Sequence, residues 1–290
     1  MCLRFLLIII MKYMVRILKM TDFSVLMSIY SREKVEYLRC CLDSLAKQTL
    51  PANEIVIVID GPIPNVLNEE IELWSKQLPI KTIKIKDNVG LGSALNIGLE
   101  YCSNELVARM DTDDICVQDR FSLQLNKFRE CDDLQLLGGA IEEYDESMRF
   151  LKGIRKTPEN HDDIMIYAKK RNPFNHMTVM FKKTVIQEVG GYQHHLYMED
   201  YNLWLRVLAR GGIVHNLPDI LVKARGGDGM IRRRKGIAYI KSEIQLFHLK
   251  NNLKISLWYN NLMILILRVF VRAMPLSILK NIYSYMRTTK

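Results

Sequence analysis

The chain has 290 residues, 49% of them hydrophobic and 25% charged, and a formal net charge of +9. That length and balance describe a globular protein with room for one large domain or one domain and an appendage, and they exclude a chain too short or too polar to build a core. The charge is uneven: residues 223–290 hold 14 Lys/Arg against 2 Asp/Glu, and the remainder holds 27 against 30, so the basic character belongs to the C-terminal end. Such an end suits nucleic acid or an anionic membrane surface.

The first twenty residues, MCLRFLLIIIMKYMVRILKM, contain an apolar run (5–11) too short to span a bilayer and no small-residue cleavage site. Residues 1–20 are therefore expected to be a dispensable apolar extension, with Met11, Met14 and Met20 as candidate starts and the domain opening at about Thr21. The six cysteines show no C-x-x-C pair and no metal spacing, which predicts reduced thiols of a cytosolic protein.

From Asp22 onward strands alternate with helices. FSVLMSIY (23–30) predicts a strand, and residues 33–49 predict a helix whose Val35, Leu38, Leu42 and Leu45 share a face. EIVIVID (54–60) predicts a strand covered on both faces. Residues 66–77 read as a helix, 80–87 as a strand, 90–102 as a glycine-opened helix and ELVARM (105–110) as the next strand. Beyond Asp114 the alternation loosens. A helix is expected over 117–131, two strands within 134–155, a strand over 176–182, a helix over 199–210 and one or two short strands over 213–223. This pattern predicts an α/β fold with a mostly parallel central sheet and helices on both faces. Ligands of such sheets bind beyond the carboxyl ends of the strands, where Ser28, Tyr30, Asp60, Asn88 and the Asp111 cluster are expected to converge.

ARMDTDDI (108–115) places Asp111, Asp113 and Asp114 directly after a strand. If the strand stays extended, Asp111 and Asp113 project to one side and Thr112 points away. A hard divalent cation, Mg²⁺ or Mn²⁺, takes one or two such carboxylates together with phosphate oxygens. The rival reading is a turn that caps the next helix. Arg109 beside the cluster is a second candidate for balancing its charge. GLGSALNIG also has G-x-G spacing before a helix, but it follows the third strand, and a dinucleotide site carries its glycines at the first turn.

YMEDYNLWLRVLARGG (197–212) opens with Glu199 and Asp200 ahead of an apolar helical face. Acidic residues favour helix N-termini on electrostatic grounds alone. The functional alternative is a general base, a carboxylate separate from any metal pair. His176, in NPFNHMTVMF, is a candidate to complete a metal's ligand set or touch phosphates, against the plain reading of a hydrogen-bonded structural histidine.

Taken in order, FSVLMSIYSREKVEYLRCCLDSLAKQT, EIVIVIDG, DNVGLGSALNIGL and ARMDTDDI resemble a family 2 glycosyltransferase of the GT-A fold, in its bacterial exopolysaccharide and capsule branch. The similarity runs from about residue 22 to 250. The resemblance implies that Ser28, Tyr30 and Asp60 hold the uracil and ribose of a UDP-sugar, with Asn88 at the same nucleotide-sugar site. It implies that Asp111 contacts ribose or sugar, that Asp113 ligates the metal, that Asp200 is the base and that Glu199 positions. It divides the chain into a nucleotide-binding half (21–114), an acceptor half (115–250) and a basic, apolar membrane-surface segment (251–290). The chain departs from the family at IDGP, where D-D-G-S is commoner, and at Leu95, where relatives often carry Arg.

ISLWYNNLMILILRVFVRAMPLSIL (255–279) is apolar, with Arg268 and Arg272 on one helical face. Its longest charge-free stretch is too short to cross a bilayer, which predicts a helix lying in the membrane interface, or else a core or dimer helix. RRRK (232–235) is read either as a phosphate or headgroup contact or as a solvated face. The function expected is inverting transfer of a hexose from a UDP-sugar to a polyprenyl-diphosphate-linked saccharide. The expected place is the inner face of the cytoplasmic membrane, with Mn²⁺ or Mg²⁺ and without nucleic acid. The rivals are a non-catalytic membrane-associated scaffold and a nucleotidyltransferase, which wants glycines that SIYSREK lacks.

Overall fold

The computed structural model describes residues 22–226 and 236–273. The expected N-terminal extension, the 232–235 basic run and the chain after Ala273 lie outside the described residues. The first part follows the sequence closely. Strands β1 (Phe23–Ile29), β2 (Glu54–Asp60), β3 (Ile80–Ile85) and β4 (Leu106–Arg109) alternate with helices α1 (Val35–Ala46), α2 (Asn65–Trp74) and α3 (Leu91–Tyr101). They lie in the order β3-β2-β1-β4, every pair parallel. All four carboxyl ends therefore meet one edge of the sheet, as ligand-binding α/β folds require.

Side-chain alternation divides the core into two layers. Leu26, Val56, Val58 and Val107 face one side and Val25, Met27, Ile57 and Ala108 the other. On the first side α3 presses close. A Cβ on Gly98 would come within 2.5 Å of Leu26 Cδ1 and Val58 Cγ2, so only glycine fits there.

The second part is mixed. It contains β5 (Ile115–Cys116), α4 (Arg120–Glu130), β6 (Leu134–Tyr144), β7 (Leu151–Arg155), α5 (His161–Ala168), a 3₁₀ turn (His176–Thr178), β8 (Met180–Lys182), α6 (Lys183–Glu188), α7 (Glu199–Ala209) and β9 (Ile213–Arg225). The sheet continues β8-β6-β9-β5, with β7 on β6. β8 runs antiparallel to both β4 and β6, and β6 runs parallel to β9. Hence the amino end of β8 and the carboxyl ends of β6 and β9 arrive at the edge where β1, β2 and β4 finish.

Two expectations are corrected here. The strand expected over 176–182 begins only at Met180, because Asn175 and Thr178 bend the preceding residues. The Asn175 carbonyl accepts both the Thr178 N–H at 2.9 Å and its hydroxyl at 2.8 Å, and side-chain bonding of that kind competes with a strand ladder. Of the one or two short strands expected over 213–223, one is found, and it is long, not short: Ile213–Arg225 absorbs Pro218 in a bulge, the register jumping from Gly139↔Leu217 to Ala140↔Ile220.

Helices α8 (Ile237–Asn252) and α9 (Trp258–Ala273) close the described chain. α8 sends Tyr239 and Leu246 into the core beside Trp204 and Leu205. Its Lys250 is buried and donates to the Lys169 carbonyl at 2.7 Å. Arg268 of α9 pairs with the buried Glu243 of α8 at 2.7 Å and also donates to the Lys170 carbonyl. The opposite side of α9 leaves Trp258, Met263, Ile266, Leu267 and Phe270 between 60% and 69% exposed. Among the described residues, no helix is long and apolar enough to cross a membrane.

Candidate active site

The three acids after β4 do not continue the strand, which ends at Arg109. They occupy a turn, and the turn gathers ligand oxygens of Asp111, Asp113 and Asp114 within 4.8 Å of one another. The extended geometry expected for Asp111 and Asp113 is thus replaced by a tighter one that recruits Asp114 as well. Thr112, expected to point away, is buried and donates to Glu33 at 2.5 Å.

Crowding shows in the protonation of these groups. Burial first, then the Asp111 and Glu33 charges, push the Asp113 carboxyl up to about 7. Burial and the charges of Asp111 and Asp113 also hold Asp114 well above the ordinary carboxylate range. Part of the compensation is built in, because the buried Arg109 guanidinium pairs with Asp111. Among the described residues, Nε and Nη1 of Arg109 have no hydrogen-bond partner.

Arg225, at the end of β9, ties the turn to the far side of the sheet. Its N–H donates to Asp114 Oδ1 at 2.7 Å and its Nε to the Asp113 carbonyl at 3.0 Å. Its guanidinium lies 3.8 Å from the centre of the Tyr37 ring. Nothing in the sequence pointed to Arg225 or to Glu33. Behind the turn, the buried Cys41 thiol donates to the Asp111 carbonyl at 3.2 Å, and burial raises its pKa well above the usual thiol value.

Donor sets of this kind can be tested against a hard cation. Three carboxylates converging on one point at the end of a sheet offer only oxygen ligands, as Mg²⁺ or Mn²⁺ prefers. The residues fit a divalent ion. His176, expected as a further ligand, is not in this cluster. Its Nε2 is 2.8 Å from the Tyr192 hydroxyl, its ring packs against Tyr192 and Trp204, and burial with the nearby Arg109 charge holds it neutral, well below the ordinary histidine pKa.

Ser28 and Tyr30 end β1, Ser28 half-buried and Tyr30 44% exposed on the open edge. Asp60 is buried at the end of β2, and its carboxylate is already engaged. It accepts from the Val89 N–H at 2.7 Å, the Gly90 N–H at 3.1 Å and Asn88 Nδ2 at 2.9 Å. Asp60 thereby shapes the loop that begins α3, and Asn88 is part of that loop. Gly61, at φ +79°, lets the two segments meet, since a Cβ there would lie 2.8 Å from the Asn88 nitrogen. Leu95 is fully buried under this loop's helix, where a charged side chain would lose its water.

The second acidic pair stands at the start of α7, where the charge of Arg109, the partner of Asp111, reaches Asp200. Asp200 Oδ2 accepts from Asn172 Nδ2 at 2.6 Å and its Oδ1 from the Tyr201 N–H at 2.7 Å. Burial raises the pKa of both Glu199 and Asp200. The start of α3 fits against Glu199. A Cβ on Gly92 would sit 3.5 Å from Glu199 Cγ, and Asn96 exchanges hydrogen bonds with the Tyr192 backbone at 2.8 and 2.7 Å. Tyr192 and Asn172 were missed in the sequence, and neither carries a local signal. The arrangement offers a cation site after β4 and, at the start of α7, a carboxylate of raised proton affinity.

Comparison with known proteins identifies the family and agrees with the fold. The sequence model described as glycosyl transferase family 2 matches residues 24–190. The chain is 45% identical over 261 residues to the amylovoran biosynthesis glycosyltransferase AmsE of Erwinia amylovora, covering 90% of this chain and 97% of that one. It is 39% identical over 263 residues to the UDP-Gal:alpha-D-GlcNAc-diphosphoundecaprenol beta-1,3-galactosyltransferase of Escherichia coli, covering 90% and 94%. Among solved structures it is similar to S. aureus TarS 1-349 in complex with UDP-GlcNAc, with a TM-score of 0.63 and 18% identity over 84% of this chain and 70% of that one.

Proposed function

The chain belongs to glycosyl transferase family 2, and from that premise we propose that it moves a hexose from a UDP-sugar to a polyprenyl-diphosphate-linked saccharide, with inversion, at the inner face of the cytoplasmic membrane. Its fold is GT-A, and its relatives are bacterial polysaccharide glycosyltransferases. The observation that carries the proposal is the pair of acidic sites that share the field of Arg109: the Asp111–Asp114 turn, where Arg109 pairs with Asp111, and the Glu199–Asp200 helix start, where its charge reaches Asp200. The curated relative named for UDP-Gal and a diphosphoundecaprenol acceptor supports the donor and acceptor classes.

Asp113, with Asp111 and Asp114, would hold Mn²⁺ or Mg²⁺, which supplies charge neutralisation for a departing diphosphate. The remaining chemistry belongs to the chain's own groups. Ser28 and Tyr30 line the open end of β1 where the nucleoside would lie, while Asp60 and Asn88 keep the loop before α3 in shape. The acceptor hydroxyl attacks the anomeric carbon from the side of Asp200, whose carboxylate takes its proton. The bond from that carbon to the diphosphate oxygen breaks, and the electron pair leaves with UDP. Burial prepares Asp200 for this step, because a raised pKa brings a carboxylate nearer the working range of a base at neutral pH. Glu199 positions, wedged against the start of α3.

The exposed apolar side of α9 and the basic C-terminal end support attachment to an anionic bilayer surface, with no role for nucleic acid. The test is mass spectrometry of the products formed from a panel of UDP-sugars and a short-chain GlcNAc-diphospho-lipid with Mn²⁺. A hexose added to the lipid is expected. Intact lipid with every UDP-sugar would overturn the assignment.

A further inference from the structure

Immediately before Glu199 the chain presents an aromatic surface that the chemistry above does not use. Tyr197 has φ +66°, a left-handed backbone that a bulky side chain rarely adopts. Strain of this kind persists only where the surroundings enforce it. Here they do. The Ser242 hydroxyl donates to the Leu196 carbonyl at 2.7 Å, His195 Nε2 lies 2.8 Å from the Ser242 carbonyl, and Gln245 Nε2 donates to the His194 carbonyl at 2.8 Å. On the other side, the Met198 N–H donates to the His195 carbonyl at 2.8 Å.

This effort does not bury the ring. Tyr197 stays 43% exposed and Leu196 39% exposed, although His195 and Met198 beside them are buried. The Tyr197 ring instead lies over Tyr239 of α8, centroids 5.7 Å apart and planes at 17°. Tyr239 is 7% exposed, so it backs the upper ring without competing for solvent. A rigid, half-exposed aromatic face backed by a second ring suits a flat apolar ligand surface with polar edges. The C–H face of a pyranose has that form, and a tyrosine adds a hydroxyl at the rim for hydrogen bonding.

We propose that Tyr197, stacked on Tyr239, is an acceptor-sugar subsite that holds the pyranose whose hydroxyl is presented to Asp200. The proposal rests on the transferase reading given above. It also places the sugar beside α8, the helix to which α9 is joined through Arg268 and Glu243.

The test uses the full chain with Mn²⁺ and UDP, and reads saturation transfer from the protein to the ring protons of methyl α-N-acetylglucosaminide and methyl α-galactoside. The wild type and Tyr197→Phe should saturate the C–H face of at least one sugar. Tyr197→Gly should lose at least fivefold of that signal. Glycine occupies φ +66° without strain, so this variant removes the ring and keeps the fold, and unchanged UDP affinity verifies that. Equal saturation in Tyr197→Gly, or none in a wild type that binds UDP, would overturn the subsite alone. A wild type that binds no UDP would remove the transferase reading and the subsite with it.

Discussion

The first wall of the site, which carries Asp111–Asp114, and the second, which carries Glu199–Asp200, are held by different kinds of contact. On the first, the contacts come from the sheet itself: Asp60 fixes residues 28 to 30 positions away inside one strand–helix–strand unit, and Arg225 at the end of β9 reaches the turn. On the second, the residues leading to Glu199 are fixed by Ser242 and Gln245, 46 to 51 positions further on. Asp200 is held by Asn172, 28 positions back, and the carbonyls just before Asn172 are capped by Lys250 and Arg268. One wall is a product of the sheet. The other is a loop gripped from behind by the C-terminal helices. The family match, residues 24–190, covers Asp111–Asp114 but not Arg225, which holds that turn, and stops short of Glu199 and Asp200.

Three substitutions probe that division. Asp113→Ala should have the largest effect, lowering kcat by about 10⁴-fold, since several kcal/mol of charge neutralisation are lost. The same variant should lose Mn²⁺-dependent UDP binding in calorimetry. Retained binding would detach the first wall from the donor. Asp200→Asn should lower kcat by about 10³-fold, within the range for a positioned base, and leave UDP affinity as in the wild type. If UDP affinity fell as well, the walls would not be separable.

Lys250→Met should have the smallest effect, and on stability alone. Burial, with Arg268 nearby, lowers the Lys250 amine from 10.5 to about 7. Between those pH values the unfolded chain binds a proton that the folded chain does not, so wild-type stability rises as pH goes from about 7 to 10.5. Below about 7 the full penalty stands. Replacing a buried charge by an apolar side chain is neutral to stabilising, here by about 1–2 kcal/mol after loss of the bond to the Lys169 carbonyl. Thermal melts should therefore put the variant about 2–4 °C above the wild type at pH 6.5. The gap should close by pH 10. A constant gap would mean that the amine titrates alike in both states.

The same division governs how much of the molecule was legible in the sequence. β1, β2 and β4 announce themselves as apolar runs because both faces of each strand are covered, and their polar ends mark the rim for the same reason. The acidic cluster was visible, but its shape was not. D-x-D-D fits an extended end and a turn equally well, and what decides is Thr112 bonding to Glu33, 79 positions away. His176 looked like a ligand because histidine is one of the commonest, and its commitment to Tyr192 depends on a loop with no signature. Over 213–223 the sequence allowed one short strand or two, and the single strand Ile213–Arg225 continues past Pro218 by a bulge, which leaves no mark apart from the proline itself. Arg225 was invisible. Its contacts with the turn span 111 and 112 positions, and no local pattern encodes that distance.

The late position of α8 has a consequence for biosynthesis. Chains emerge from the ribosome amino end first, and domains fold broadly in that order. Every strand of the sheet has been delivered by Arg225, whereas Ser242, Gln245 and Lys250 are still to come. A nascent chain of which only residues up to about 236 have cleared the ribosome should therefore already capture UDP on a nucleotide-affinity resin while showing no turnover. Competence to transfer sugar is then withheld until translation is almost finished, so a half-made enzyme has nothing to spend its donor on.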